Sequence, residues 1–76
     1  MYTADDLARA ERQLANAEKR VADQREWIER LGQSNQDTAE AEAVLSQMLE
    51  LLEGMESHRD TIVAGLAIAA RLQSRP

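Results

Sequence analysis

The sequence predicts an all-α fold: an antiparallel, coiled-coil-like hairpin of two long helices that dimerises into a four-helix bundle. Apolar residues recur three and four residues apart in both halves of the chain, which places them on one face of a helix. Good helix formers dominate the composition, and no stretch alternates apolar and polar residues as a strand does. A polar segment that begins at Gly32 separates the two halves.

The first helix is predicted from about residue 4 to residue 31. Thr3 is a suitable N-cap, and Asp6 three residues later completes a capping box with Asp in place of Glu. Gly32 follows the apolar stripe and is predicted to be the left-handed residue that ends the helix. The stripe consists of Leu7, Ala10, Leu14, Ala17, Val21, Gln24, Ile28 and Leu31.

The second helix is predicted from about residue 38 to residue 73, after a turn at about 32–37. Asp37 as N-cap with Glu40 at the third helical position forms a capping box, and Thr38 is the alternative cap. Because a turn this short joins two helices, the 76 residues form a single antiparallel hairpin domain.

The second helix carries two apolar seams. The first seam consists of Ala41, Leu45, Met48, Leu52, Met55, Arg59, Ile62, Leu66 and Ala69. The second seam consists of Val44, Met48, Leu51, Met55, His58, Ile62, Gly65, Ala69 and Leu72. Together they form a face that is too wide for one partner helix to cover, which indicates a second chain.

Hairpin geometry leaves the end of the second helix, from about Leu66 onward, without a partner in its own chain. Apolar overhangs of this kind are usually interfaces. We therefore expect a homodimer, in which parallel and antiparallel arrangements of the two hairpins both fit. The predicted interface for the dimer or another partner consists of Ile62, Gly65, Leu66, Ile68, Ala69 and Leu72.

Composition narrows the function classes. The chain has no cysteine and a single histidine, so we expect no disulfide, metal site or cofactor. The net charge of −5 argues against nucleic acid, whose binding needs a basic patch. No apolar run is long enough to cross a membrane, and the first residues lack a secretory signal, so we expect a cytoplasmic location without a membrane partner.

Glu56, His58, Arg59 and Asp60 form the one plausible polar cluster for a small ligand or metal. The alternative is a surface network of ordinary helix side chains. No nucleophile lies in a suitable position beside a base, so we predict neither catalytic residues nor an enzyme.

Three polar or aromatic residues lie beside or within the apolar faces of the helices. Trp27 either anchors a partner or covers the end of the hairpin with its indole in water. Gln24 and Arg59 occupy seam positions, where polar residues fix the register or the oligomeric state.

Two stretches of the chain resemble short, uncharacterised bacterial helical-hairpin proteins of unknown function. They are the segment from Val21 to Leu31 and the segment from Asp37 through His58-Arg59-Asp60 to Ile62. The resemblance implies a helical hairpin and carries over no functional residues.

The function expected from the sequence is a small cytoplasmic protein–protein interaction module, a homodimeric adaptor or regulatory hairpin. The alternative is a helical bundle that binds a small ligand or metal near His58.

Overall fold

The computed structural model describes residues 1–74 and contains two α-helices, α1 (Ala4–Gln33) and α2 (Ala39–Gln73). The helices pack against each other along their length, and the described residues contain no strand. A connection this short makes the pair an antiparallel hairpin, which is a rod of 66 × 15 × 13 Å. The prediction of an all-α helical hairpin is confirmed.

The predicted capping box begins α1. The backbone N–H of Asp6 donates to Thr3 Oγ1 (3.2 Å), and the backbone N–H of Thr3 donates to Asp6 Oδ2 (2.8 Å). Two N–H groups that the first helical turn leaves without partners are thereby satisfied. The shorter Asp side chain therefore performs the role that Glu usually has in this motif.

The prediction that α1 ends at Gly32 is wrong. The helix continues to Gln33, and Asn35 (φ 56°) is the residue in the left-handed conformation. The N–H of Asn35 donates to the Gly32 carbonyl (3.1 Å), and the N–H of Gln36 donates to the Leu31 carbonyl (2.9 Å). This pair of bonds is a Schellman motif with Asn at C′, a position that Asn tolerates better than most residues. Gly32 has ordinary negative φ inside the last helical turn.

The predicted start of α2 needs a similar correction. Thr38 is the N-cap, and its side chain makes no capping hydrogen bond. Asp37 lies one residue earlier, where its Oδ1 accepts a hydrogen bond from the Ala39 N–H (3.0 Å). Because Asp37 is not the N-cap itself, the predicted capping box with Glu40 does not form.

The apolar stripe of α1 faces the first seam of α2. Ala10, Leu14 and Val21 are buried, and the other stripe residues are half-buried. Ile62 is the buried residue of α2, and every other member of its first seam is half-buried. Gln24 donates from Nε2 to the Ala41 carbonyl (2.9 Å), which links the two helices near the turn. This bond supports the interpretation that Gln24 fixes the register of the hairpin.

Candidate interaction surface

The four residues of the predicted polar cluster do not converge on one point. Arg59 is half-buried, and its Nε donates to Asp60 Oδ1 (2.9 Å), next to it in sequence. Glu56 and His58 are exposed, and His58 faces the aromatic ring of Tyr2 with a centroid separation of 6.5 Å and an interplanar angle of 80°. Among residues 1–74, no three His, Asp or Glu side chains are grouped closely enough to hold a metal ion.

Tyr2 is the residue of this site that sequence reasoning missed. Its ring lies against Gly65, where an added Cβ would come 2.9 Å from Tyr2 Cδ2. The same ring meets the edge of His58, so Tyr2 connects the start of α1 to the second seam of α2. Tyr2 directly precedes the N-cap, where apolar residues commonly pack back onto the fold. That position was the signal from which its role could have been predicted.

Asp6 and Arg9 also line the groove beneath Tyr2, together with Gln13 and His58. The Asp6 carboxylate already takes part in the capping box at the start of α1. Hydrogen bonds from the Thr3 backbone N–H and then from the Thr3 hydroxyl hold the pKa of Asp6 below its ordinary value. Asp6 is therefore a capping group, and the polar side chains left for a ligand in this groove include Arg9, Gln13 and His58.

The shallow grooves of the molecule lie along one side of the hairpin, between the two helices. The groove beneath Tyr2 is followed by one lined by Gln13, Leu51, Gly54 and His58. A third groove near the turn is lined by residues that include Trp27 and Val44. Grooves therefore lie both at the open end of the hairpin and near the turn.

The part of α2 that borders these grooves carries a regular set of residues, spaced alternately three and four positions apart and free of Asp, Glu, Lys and Arg. We call this set the outer stripe. Its nine members are Val44, Gln47, Leu51, Gly54, His58, Thr61, Gly65, Ile68 and Leu72. All of them except Gly65 are exposed. The exposed fractions reach 70% for Leu51, 56% for Ile68 and 62% for Leu72. An exposed heptad pattern without charges is typical of a helix face that packs against another helix.

The predicted interface residues have different degrees of exposure. Ile62 is 1% exposed, so its side chain is already buried in the core of the hairpin. Gly65, Leu66 and Ala69 are half-buried, and Gly65 is in contact with Tyr2. Ile68 and Leu72 remain exposed and are therefore the members best placed to meet a second chain.

Trp27 lies near the turn on the same side as the outer stripe. Half of its surface is exposed (51%), and it borders one groove together with Gln24 and Val44. Its apolar ring thus extends the accessible apolar surface of Val44 across to α1.

Comparisons with known proteins do not place the chain in a family: no protein-family model, curated protein or solved structure matches it. The resemblance to bacterial helical-hairpin proteins stays a prediction. Within residues 1–74, neither helix is sufficiently long and apolar to span a membrane.

Proposed function

We propose that this protein is a small cytoplasmic protein–protein interaction module that works as a homodimer, with two hairpins forming a four-helix bundle in an adaptor or regulatory role. The exposed, uncharged outer stripe of α2 is the observation that carries the proposal. A helix face of this kind is stabilised when another helix removes its apolar residues from water.

The exposed area of the single chain supports the same conclusion. Its accessible surface is 6026 Å² for a mass of 8.5 kDa. A compact monomer of that mass exposes about 4,700 Å². The core is correspondingly small, since the apolar side chains that are buried in the described residues are Ala10, Leu14, Val21 and Ile62. A second chain would cover part of the excess area and enlarge the core.

The outer stripe is long enough for an extended helix–helix contact. From Val44 to Leu72 it extends for about 42 Å at 1.5 Å per residue. A contact of that length and about 10–12 Å in width, the diameter of a helix, covers roughly 400–500 Å² on each chain, which approaches the roughly 600 Å² per chain of the smaller stable interfaces. The net charge of −5 is consistent with a protein partner and unfavourable for nucleic acid.

The mass of the particle in solution, measured by light scattering or native mass spectrometry, tests the proposal. We expect twice the chain mass for the wild type and a monomer for the double variant Ile68→Glu, Leu72→Glu. Both side chains are more than half exposed in the hairpin, so the variant should keep its helices while charging the interface. Ala67→Glu is the matched control, because Ala67 is exposed and lies outside the stripe. A wild-type monomer, or a double variant that remains dimeric, would contradict the proposal.

The groove beneath Tyr2 supports a second candidate function, the binding of a small anion. Arg9 and His58 supply cationic or hydrogen-bonding groups, and Tyr2 supplies an aromatic wall. Calorimetric titration with inorganic phosphate, for the wild type and His58→Ala, tests this function. Phosphate binding that His58→Ala abolishes would favour it, and heats equal to those of dilution would exclude phosphate as the ligand.

A further inference from the structure

We infer that the outer stripe of α2 binds the outer stripe of a second copy of this chain in the antiparallel direction, with His58 of each copy seated over Gly54 of the other. The inference rests on the proposed homodimer and specifies its arrangement. In this arrangement α2 of one copy packs against α2 of the other, and the turns of the two hairpins lie at opposite ends of the bundle.

The choice of α2 as its own partner follows from charge. The outer stripe has no Asp, Glu, Lys or Arg, whereas Arg9 and Arg20 of α1 border the grooves between the helices. Packing α2 of one copy against this side of α1 of the other would remove these charges from water, which is unfavourable. Packing α2 against α2 leaves them at the solvated edge of the bundle.

The antiparallel direction follows from the order of large and small residues along the stripe. A two-fold axis between residues 54 and 58 pairs Gly54 with His58, and it also pairs Leu51 with Thr61 and Val44 with Ile68 of the second copy. Large residues thereby meet small or apolar ones, which lets the layers interdigitate. A parallel pair in register would place each residue against its own copy, with two His58 rings together and an empty space between two Gly54 residues.

Gly54 provides an independent indication. Glycine is among the least favourable residues inside a helix, and nothing in the hairpin requires it, because no atom lies within 4 Å of an added Cβ. The open space at Gly54 adjoins His58 in the same groove. The close approach of a helix from a second copy at this point would explain why residue 54 is a glycine.

The flanking charges are compatible with the antiparallel pair. Glu50 and Arg71 border the outer stripe on its outward side, and both are exposed. In the antiparallel pair Glu50 lies near Ala64 of the second copy, and Arg71 lies near Ala43 of the second copy. Neither charge is then opposed by one of the same sign, and opposed like charges would weaken association.

The orientation can be measured by double electron–electron resonance with a spin label on Ser34→Cys. The chain contains no cysteine, so this label is unique, and Ser34 lies exposed at the turn. In the antiparallel dimer the two turns are separated by about 60 Å, from the helical rise between Ser34 and the two-fold axis. In a dimer with adjacent turns the labels lie within about 25 Å.

The possible results separate the two proposals. A dimer with a label separation near 60 Å supports the inference. A dimer with nearby labels overturns the antiparallel arrangement and leaves the proposed homodimer intact. A particle of monomer mass overturns both.

Gly54→Leu tests the contact itself. The hairpin has open space for the side chain, and leucine favours a helix, so helicity measured by circular dichroism should be preserved. The added side chain occupies the position of His58 from the second copy, and we expect the dimer dissociation constant to rise at least ten-fold. Ser46→Leu, an exposed position on α2 away from the outer stripe, is the control and should leave the constant unchanged. Equal dissociation constants for Gly54→Leu and wild type would overturn the inference.

Discussion

At the residue scale, the contact between Tyr2 and Gly65 fixes the open end of the hairpin. Glycine is unfavourable in a helix interior, and its presence at position 65 is explained by the Tyr2 ring, which occupies the place of a side chain. The ring also meets His58, which lies in the middle of the outer stripe. The N-terminal residues are thereby joined to the surface on which the proposed function depends.

Gly65→Ala should therefore stabilise the protein more when the Tyr2 ring is absent. Alanine in place of glycine favours the helix by up to about 1 kcal/mol, but its Cβ would lie 2.9 Å from Tyr2 Cδ2 and displace the ring. Urea unfolding of Gly65→Ala, Tyr2→Ala and the double variant measures the coupling. We expect Gly65→Ala to raise the free energy of unfolding by at least about 0.5 kcal/mol more in the Tyr2→Ala background. Equal gains in both backgrounds would show that the contact contributes nothing.

At the element scale, the two ends of α1 are held by local hydrogen bonds, and each end has a different motif. The start uses the reciprocal bonds between Thr3 and Asp6, and the end uses the left-handed residue Asn35. The capping box could be predicted because it depends on residues three positions apart. The prediction of Gly32 for the C-terminal motif is wrong, because both Gly32 and Asn35 tolerate positive φ and local sequence does not choose between them.

Substitutions at Asn35 test the C-terminal motif. Alanine pays a steric penalty in the left-handed conformation, so Asn35→Ala should lower the free energy of unfolding by about 1–2 kcal/mol. Asn35→Gly should be neutral or slightly stabilising, because glycine adopts this φ without strain. Gly32→Ala is the control, since Gly32 has negative φ and open space around it, and it should not destabilise the protein. Thermal unfolding followed by circular dichroism gives all three values, and a loss for Gly32→Ala would contradict the assignment.

The capping box predicts a specific dependence of stability on pH. The pKa of Asp6 is lowered in the folded state, so the ionised carboxylate stabilises the fold at pH values above its ordinary pKa of 3.8. As the pH falls below that value and through the lowered pKa of the folded state, this contribution is lost. The stability difference between wild type and Asp6→Asn should therefore be largest near neutral pH and shrink in acid. Urea unfolding of both proteins between pH 7 and pH 2.5 measures it, and a difference that grows in acid would refute the assignment.

At the scale of the whole molecule, the hairpin is long and thin, with a small core for its accessible surface of 6026 Å². A core of this size gives limited stability to a 76-residue chain that has no cysteine to form a disulfide. In the proposed dimer, association through the outer stripe would supply further buried apolar area. Stability and association would then be linked, because the second copy would bind the folded hairpin.

The linkage predicts that the thermal midpoint depends on protein concentration. A hundred-fold increase in concentration should raise the midpoint of the wild type by several degrees, since mass action favours the folded dimer by about 2.7 kcal/mol for that factor. The double variant Ile68→Glu, Leu72→Glu should have a lower midpoint that is independent of concentration. Thermal scans at several concentrations decide the point, and a wild-type midpoint that does not change would argue for a folded monomer.

The sequence by itself determined that the chain forms two helices, which residues of α1 face inward and how α1 begins. These features depend on heptad spacing and on hydrogen bonds between residues a few positions apart, so they can be derived locally. The tertiary structure decided that Asn35 ends α1, that Tyr2 covers Gly65 and that Ile62 is buried within the hairpin. It also decided which apolar residues of α2 remain exposed. Two seams of α2 compete for one partner helix, and only the placement of α1 determines which seam is covered.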